Sequence, residues 1–189
     1  LSALGTAGDV LVQSGRAYLS TSGSDIERAL VVTDAAPTSA AYSAQITVRN
    51  LGGAESRAAV CINMQPNGDR YECYWRDNSV LLVALVGGGR TVLASVDHPL
   101  AAGADVVLLL SRQGGTPSMA INGGAFISGG DQGAGALAAG RPGISFRGQG
   151  STSTGQHIDS LSYDGAMAGR GGASRAGGSI AAGAVTSTR

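Results

Sequence analysis

Short alternating segments separated by turn-forming residues constrain the fold of this chain more than any other feature. Between Tyr42 and Arg49, apolar and polar residues alternate strictly. This is the period of a strand with one buried face. Clusters of Gly, Asn and Asp separate further runs of this kind as far as Tyr163. About a dozen short runs at close spacing predict an all-β protein, an antiparallel β-sandwich or jelly roll.

Turn residues between these runs indicate where the strands reverse. Gly and Asn accept positive φ, so they favour tight hairpins when strand-like runs flank them. Hairpins are predicted at Asn67-Gly68, Gly87-Gly88-Gly89 and Asn122-Gly123-Gly124, and another turn at Asp77-Asn78. Helix is expected only as single turns, at Asp25–Arg28 and at Gly135–Ala139.

The composition changes after Asp164, which divides the chain into a domain at 1–164 and a tail at 165–189. The tail has no acidic and no aromatic residue. Such a segment cannot bury enough apolar surface to order itself alone, so it is either flexible or docked on a partner. The second alternative predicts an assembly arm whose basic residues contact a neighbouring subunit: Arg170, Arg175 and Arg189.

The charge balance and the length of the apolar runs exclude two classes of partner. The formal net charge is zero, and all 13 basic residues are Arg. Nucleic-acid binders usually carry a clear basic excess, so no nucleic-acid partner is expected. No run approaches the ~18 apolar residues of a membrane span, so no membrane insertion is expected.

An ordered set of segments from Gly5 to Asp164 resembles the concanavalin A-like lectin/glucanase jelly rolls, a group that includes laminin-G-like domains. The segments are Gly5–Gly8, Tyr42–Val48, Ala58–Asn63, Asn67–Tyr71, Val86–Ala94, Ala120–Gly123, Gly143–Phe146 and His157–Leu161. Domains of this kind look similar to modules of bacteriophage virion proteins, to bacterial surface proteins and to sugar-binding modules. The resemblance implies a concanavalin-like jelly roll, and the fold alone does not choose among these functions.

The carboxylates do not match those of glycosidases of this fold, which carry a closely spaced acidic set on one strand. Two carboxylates must flank the scissile bond. The three Glu residues are Glu27, Glu55 and Glu72. Asp25 and Glu27 share the expected helical turn, and Glu72 stands alone. We therefore expect solvated or hairpin-stabilising Glu side chains, no catalytic residue and no enzyme activity.

The densest aromatic group, Tyr71 to Trp75, is the predicted carbohydrate-binding region because aromatic rings stack on sugars. By alternation, Tyr71, Cys73 and Trp75 share one face of a strand, and Glu72 and Tyr74 share the other. The first face is expected to be core. The second is expected to be an exposed polar group. The predicted site comprises Tyr74, Trp75, Glu72, Asn63 and Arg76.

Cys61 and Cys73 lie on the two arms of the first hairpin. A three-residue loop at Pro66–Gly68 pairs them directly and permits a disulfide, whereas a two-residue turn places them on opposite faces. A bridge and two buried thiols both remain open. Two Cys without supporting His are too few for a structural zinc site, and no calcium-loop spacing occurs, so no metal and no cofactor are expected.

These observations predict a non-enzymatic virion structural protein, a phage decoration, fibre or tail-associated module. Its expected partners are copies of itself as a homo-oligomer, other virion proteins and host surface glycans. The expected location is the virion surface or the extracellular space. The alternative is a carbohydrate-binding module or adhesin that recognises cell-surface glycans.

Overall fold

The structure is a computed structural model. It describes residues 2–4, 10–20, 27–31, 37, 39, 41–53, 56–113, 115–130, 137–148, 150–164 and 178–181. Side chains are described for these residues except 2–4, 113 and 178–181.

Two antiparallel sheets contain all the described strands. The seven-stranded sheet has the spatial order β1 (Ser2–Leu4), β4 (Glu27–Val31), β13 (Arg141–Gly148), β6 (Ser56–Met64), β7 (Arg70–Arg76), β8 (Ser79–Val86) and β9 (Gly89–Asp97). The eight-stranded sheet has the order β12 (Ile127–Ser128), β11 (Thr116–Ile121), β10 (Asp105–Gln113), β5 (Ser43–Asn50), β14 (Gln156–Asp164), β3 (Arg16–Leu19) and β2 (Val10–Gln13), with β15 (Gly178–Ala181) beside β14.

The core lies between the two sheets. Alternate residues of β5 (Ala44, Ile46 and Val48) meet alternate residues of β6 (Ala58, Val60 and Ile62) in one buried cluster. Each fully buried Ile or Leu contributes about 1.5–3 kcal/mol relative to an exposed one. The described residues contain no helix. The predicted all-β antiparallel sandwich is confirmed.

The two predicted helical turns are wrong where the structure describes them. Glu27 and Arg28 belong to β4, whose backbone pairs with β13 on one side, and the buried Ala29–Val31 follow in the same strand. Leu137 to Ala139 form an irregular loop. The Leu137 amide donates to Tyr71 Oη, and its carbonyl accepts from Arg112, so side chains take the bonds that a helix would need.

The predicted hairpins are confirmed. Gly87 and Gly88 join β8 to β9 with φ values of 58° and 80°. Asp77 and Asn78 join β7 to β8 with φ values of 51° and 62°. Two successive positive φ angles give the primed turn whose twist matches that of the flanking strands. Asn122 and Gly123 begin the connection from β11 to β12.

One part of the predicted tail pairs with the domain. The β15 backbone runs antiparallel to β14, with Leu161 opposite Ile180. Arg170, Arg175 and Arg189, predicted to dock on a neighbouring subunit, lie outside the described residues. The assembly arm therefore stays a prediction.

Candidate functional site

The two faces of β7 have different surroundings. Tyr71 and Cys73 point into the core, and Trp75 packs against it. Glu72 and Tyr74 point to the opposite, outer face of the seven-stranded sheet, where Tyr74 packs with Ala59 and Val83. The predicted division of these residues between two faces is confirmed, and so is the core position of Trp75.

The outer face of the seven-stranded sheet carries a group of charged side chains, here called the charged face. Strand register places them side by side: Arg147 on β13 lies opposite both Glu27 on β4 and Arg57 on β6. Its members are Glu27, Arg57, Arg70, Glu72, Arg90 and Arg147. The middle of this face is buried, and Arg90 and Arg147 are exposed at its edges.

Arg70 joins the two glutamates of the charged face. Its Nε donates to Glu72 Oε1 at 2.8 Å, and its Nη2 pairs with Glu27 Oε1. Arg57 Nη2 lies 3.3 Å from Glu72 Oε2 and 3.5 Å from Glu27 Oε2. Both carboxylates therefore contact the same two guanidinium groups.

This contact spans several strands. β4 and β7 are separated by β13 and β6, roughly 14 Å at the usual strand spacing. Small residues on the same face lie between them: Ala59 and Cys61 on β6, and Gly143 and Ser145 on β13. Because these side chains are short, the long side chains of Arg70 and Glu27 meet above the sheet.

Glu72 is an ionised carboxylate in a buried position. Burial would raise its pKa, but Arg57 and Arg70, with a hydrogen bond from Ser145, hold its pKa below the usual value. Ser145 Oγ donates to Glu72 Oε1 at 2.6 Å. Burial acts to lower the pKa of Arg70, yet Glu72, Cys61 and Glu27 together raise it. Glu72 and Arg70 therefore stay charged.

Tyr74 lies between two arginines. The guanidinium carbon of Arg57 is 4.4 Å from the ring centroid, and that of Arg90 is 5.7 Å from it. Arg90 Nη2 also donates to Tyr74 Oη. The electron-rich ring face attracts cations, so Tyr74 positions both guanidinium groups.

The predicted exposure of the carbohydrate site is wrong for three of its members. Glu72, Tyr74 and Asn63 have no exposed surface. Glu72 and Tyr74 are covered because long arginines lie across them. Neither side chain can contact a ligand directly. A sugar could stack on Tyr74 only if the arginines that cover the ring were displaced. Arg76 is exposed as expected, in an ion pair of 2.9 Å with Asp77.

Asn63 has a structural place in the first hairpin. Its φ is 53°, and its amide donates to Tyr42 Oη at 2.6 Å. Gln65 bonds to Asp69 across a three-residue loop, yet Ile62 lies opposite Tyr71. One extra residue therefore stands on β6 between these pairs, the arrangement of a β-bulge, and Asn63 occupies it.

This bulge decides the arrangement of the cysteines. The loop is the three-residue loop that would pair Cys61 with Cys73, but the extra residue shifts the register by one. Cys61 lies opposite Glu72, Cys73 lies opposite Val60, and the two thiols are free and buried on opposite faces. The disulfide alternative is therefore wrong.

The sequence does not predict that Glu27 and Glu72 share two arginines. Solvated or hairpin-stabilising glutamates were expected, and this is wrong for Glu72, which is fully buried in ion pairs. The signal was the same-face spacing of Arg70, Glu72 and Tyr74 on β7. Nothing in the sequence indicates that Arg57, Arg90 and Arg147 join them, because strand order decides that. Glu55 lies outside the described residues.

The described part of the chain has neither a metal-binding cluster nor a membrane-spanning helix. No group of three or more His, Cys, Asp or Glu side chains there could hold a metal ion. No helix in these ranges has the length and apolarity that crossing a membrane requires.

Comparison with known proteins gives the fold type. No protein-family model and no curated protein sequence matches the chain. The structure is similar to the carbohydrate-binding module CBM66 from Bacillus subtilis (TM-score 0.61, 11% identity, 78% of this chain and 91% of that one). It is similar to the carbohydrate recognition domain of Emp46p (TM-score 0.59, 13% identity, 82% of this chain and 84% of that one). It is also similar to a Bacillus licheniformis beta-glucanase (TM-score 0.54, 11% identity, 87% of this chain and 84% of that one).

These neighbours are β-sandwich domains of the concanavalin-like and glucanase types, so the predicted jelly roll is confirmed. At this level of identity the likeness concerns the fold. None of the three is a virion protein. The virion structural role, the homo-oligomer and the virion-surface location therefore stay predictions. Assembly after deletion of residues 165–189 tests them: normal assembly would contradict the docking arm.

Proposed function

We propose that this chain is a non-catalytic, extracellular carbohydrate-binding domain and that the charged face is its ligand surface. The observation that carries the proposal is that the charged face presents the exposed Arg90 and Arg147 and the partly exposed Glu27 above a buried layer of ion pairs. Guanidinium groups donate to sugar hydroxyls, and a carboxylate accepts from them. Groups held by a sheet need little reordering when a ligand binds.

The solved neighbours support this reading over a structural role. Two of them are named for carbohydrate binding or carbohydrate recognition. The third is a glucanase, so the fold does not by itself exclude catalysis. In this chain the chemistry of the charged face argues against catalysis. The pKa of Glu72 is lowered, so Glu72 cannot act as a general acid near neutral pH, and its burial prevents attack on a substrate.

The sequence-predicted site residues have different parts in this proposal. Tyr74 and Glu72 position Arg90 and Arg70 and do not contact the ligand. Trp75 faces the core, where its Nε1 donates to the His98 carbonyl at 2.7 Å. Asn63 shapes the hairpin. Arg76 is exposed and lies on the same face of β7 as Glu72 and Tyr74.

A glycan array tests the proposal, with neutral and acidic saccharides and three proteins. The wild type is expected to bind at least one saccharide, and Arg90→Ala to weaken that binding. The matched control is Arg49→Ala, because Arg49 lies on the eight-stranded sheet and pairs with Asp105 at 3.4 Å. It is expected to bind as the wild type does. Absence of any binding, or binding unaffected by Arg90→Ala, would overturn the proposal.

A further inference from the structure

We propose that the ligand of the charged face is an acidic saccharide, whose anionic group binds Arg90 beside Arg57 and Arg147. This inference rests on the proposed carbohydrate-binding function and names the class of sugar that the site selects.

The charged face has more positive than negative groups. Four arginines, Arg57, Arg70, Arg90 and Arg147, share it with two glutamates, Glu27 and Glu72. Both glutamates are already engaged, since each contacts Arg57 and Arg70. Even without Arg147, three arginines (Arg57, Arg70 and Arg90) share the described face with two glutamates, so these groups keep a formal positive charge.

Arg90 is the exposed cation best placed to meet a ligand. It has no ion pair with a described carboxylate, and its described polar partner is the neutral Tyr74 hydroxyl. Partial burial lowers its pKa, and Arg57 and Arg147 lower it further by repulsion, against the opposing effect of Glu72 and Glu27. An anion bound here would relieve that repulsion.

Arg57 supplies a second, independent indication. It is 5% exposed, and its Nε makes no hydrogen bond among the described residues, while its Nη2 contacts Glu72 and Glu27 at ion-pair distances of 3.3 and 3.5 Å. Buried polar groups usually have partners, so the unpartnered Nε marks a place that a ligand can complete. Arg57 also lies directly opposite Arg147 across β6 and β13.

The eight-stranded sheet shows the contrast. Its described ion pairs each match one arginine with one carboxylate: Arg16 with Asp159 at 2.5 Å, and Arg49 with Asp105 at 3.4 Å. In these two pairs no carboxylate is shared between arginines, whereas Arg57 and Arg70 share both glutamates of the charged face.

The guanidinium group defines the ligand chemistry. Its planar fork donates two parallel hydrogen bonds to a carboxylate, and it binds sulfate oxygens as well. A uronic acid presents the first group and a sulfated sugar the second. A neutral sugar presents neither and would leave the excess charge uncompensated.

Titration calorimetry of the full chain tests this with three probes: an oligogalacturonate, its methyl ester and a sulfated chondroitin oligosaccharide. The ester keeps the sugar rings and removes the charge, so it is the matched ligand control. We expect the acid to bind at least ~10-fold more tightly than the ester, as charge-assisted hydrogen bonds to arginine allow. Tighter binding of the sulfated probe would also support the inference, because that oligosaccharide carries both carboxylate and sulfate groups.

Variants locate the binding. Arg90→Ala is expected to remove most of the preference for acid over ester, and Arg90→Lys to restore part of it, because lysine keeps the charge without the fork. Arg49→Ala should leave the preference unchanged. Ester and acid binding equally would overturn this inference while leaving the proposed function standing. Absence of binding to every saccharide, here and on the array, would overturn both.

Discussion

Arg70 Nε donates a 2.8 Å hydrogen bond to Glu72 Oε1, two residues further along the same strand, although both side chains are buried. Residues at this spacing point to the same face of a strand. The bond lies on the outer face of a sheet, opposite the core. It therefore belongs to a buried ion network built outside the hydrophobic interior.

Replacing Glu72 should show how much stability depends on this network. In Glu72→Gln, Arg57 and Arg70 lose one of their two carboxylates and stay buried. Removal of one partner from a buried ion pair costs about 3 kcal/mol or more. We expect the free energy of unfolding, measured by urea denaturation, to fall by that amount.

The control for this variant is Asp105→Asn. Asp105 pairs with Arg49 at 3.4 Å, but both side chains are partly exposed, with relative exposures of 46% and 31%. Exposed pairs contribute about 0–1 kcal/mol, so this variant should be nearly neutral. Equal effects of the two substitutions would contradict the buried network.

Acidic pH should remove the contribution of Glu72 to the free energy of unfolding. Arg57 and Arg70 outweigh burial and lower the pKa of Glu72 in the folded protein. A carboxyl group with a lowered folded pKa stabilises the fold fully above its unfolded pKa, near 4.5, and loses this effect as the pH falls through the folded value. The difference in unfolding free energy between wild type and Glu72→Gln should therefore shrink below about pH 4.5.

Wild type and Glu72→Gln differ only at this carboxyl group, so their comparison reports on Glu72. Unfolding curves at several pH values between neutral and strongly acid conditions measure the change. A difference that stays constant to the lowest pH at which the protein folds would contradict the lowered pKa of Glu72.

Local patterns in the sequence predicted the sandwich because strand period and turn chemistry are local. The alternation from Tyr42 to Arg49 became β5, and Asp77-Asn78 and Gly87-Gly88 became tight turns. The two predicted helical turns were wrong because partners distant in sequence, β13 for β4 and Arg112 for Leu137, took up the backbone hydrogen bonds.

The site could be predicted only in part. Alternation placed Glu72 and Tyr74 on one face, but it could not show what covers them. Arg57, Arg90 and Arg147 are distant in sequence, and the strand order brings them together. The bulge at Asn63 also escaped prediction, and this one residue changed the register of the hairpin that carries both cysteines.

Both cysteines should be unreactive thiols in the folded protein. Burial, with the nearby charge of Glu72, raises the pKa of Cys61 to about 12, and burial raises the pKa of Cys73. A thiol reagent attacks the thiolate, so no reaction is expected at pH 8 under native conditions. Two thiols should react after denaturation without reductant. Fewer than two would contradict the free-thiol arrangement.

Gly143 should tolerate no larger residue, because it packs against the Met64 side chain where β13 pairs with β6. A Cβ atom at this position would collide with Met64 Sδ and with the Leu30 carbonyl oxygen. The methionine can move, but the carbonyl belongs to the β4 backbone and cannot. We expect Gly143→Ala to lower the free energy of unfolding by about 2–3 kcal/mol, as overpacking of a filled site does.

Gly88→Ala separates this steric effect from the loss of glycine's conformational freedom. Gly88 has a φ of 80°, and nothing lies within 4 Å of its Cβ position, so only backbone strain opposes the substitution. That strain costs about 1 kcal/mol. Urea denaturation should therefore rank Gly143→Ala as the more destabilising variant. The reverse order would mean that β4 and β13 can separate to admit a methyl group at Gly143.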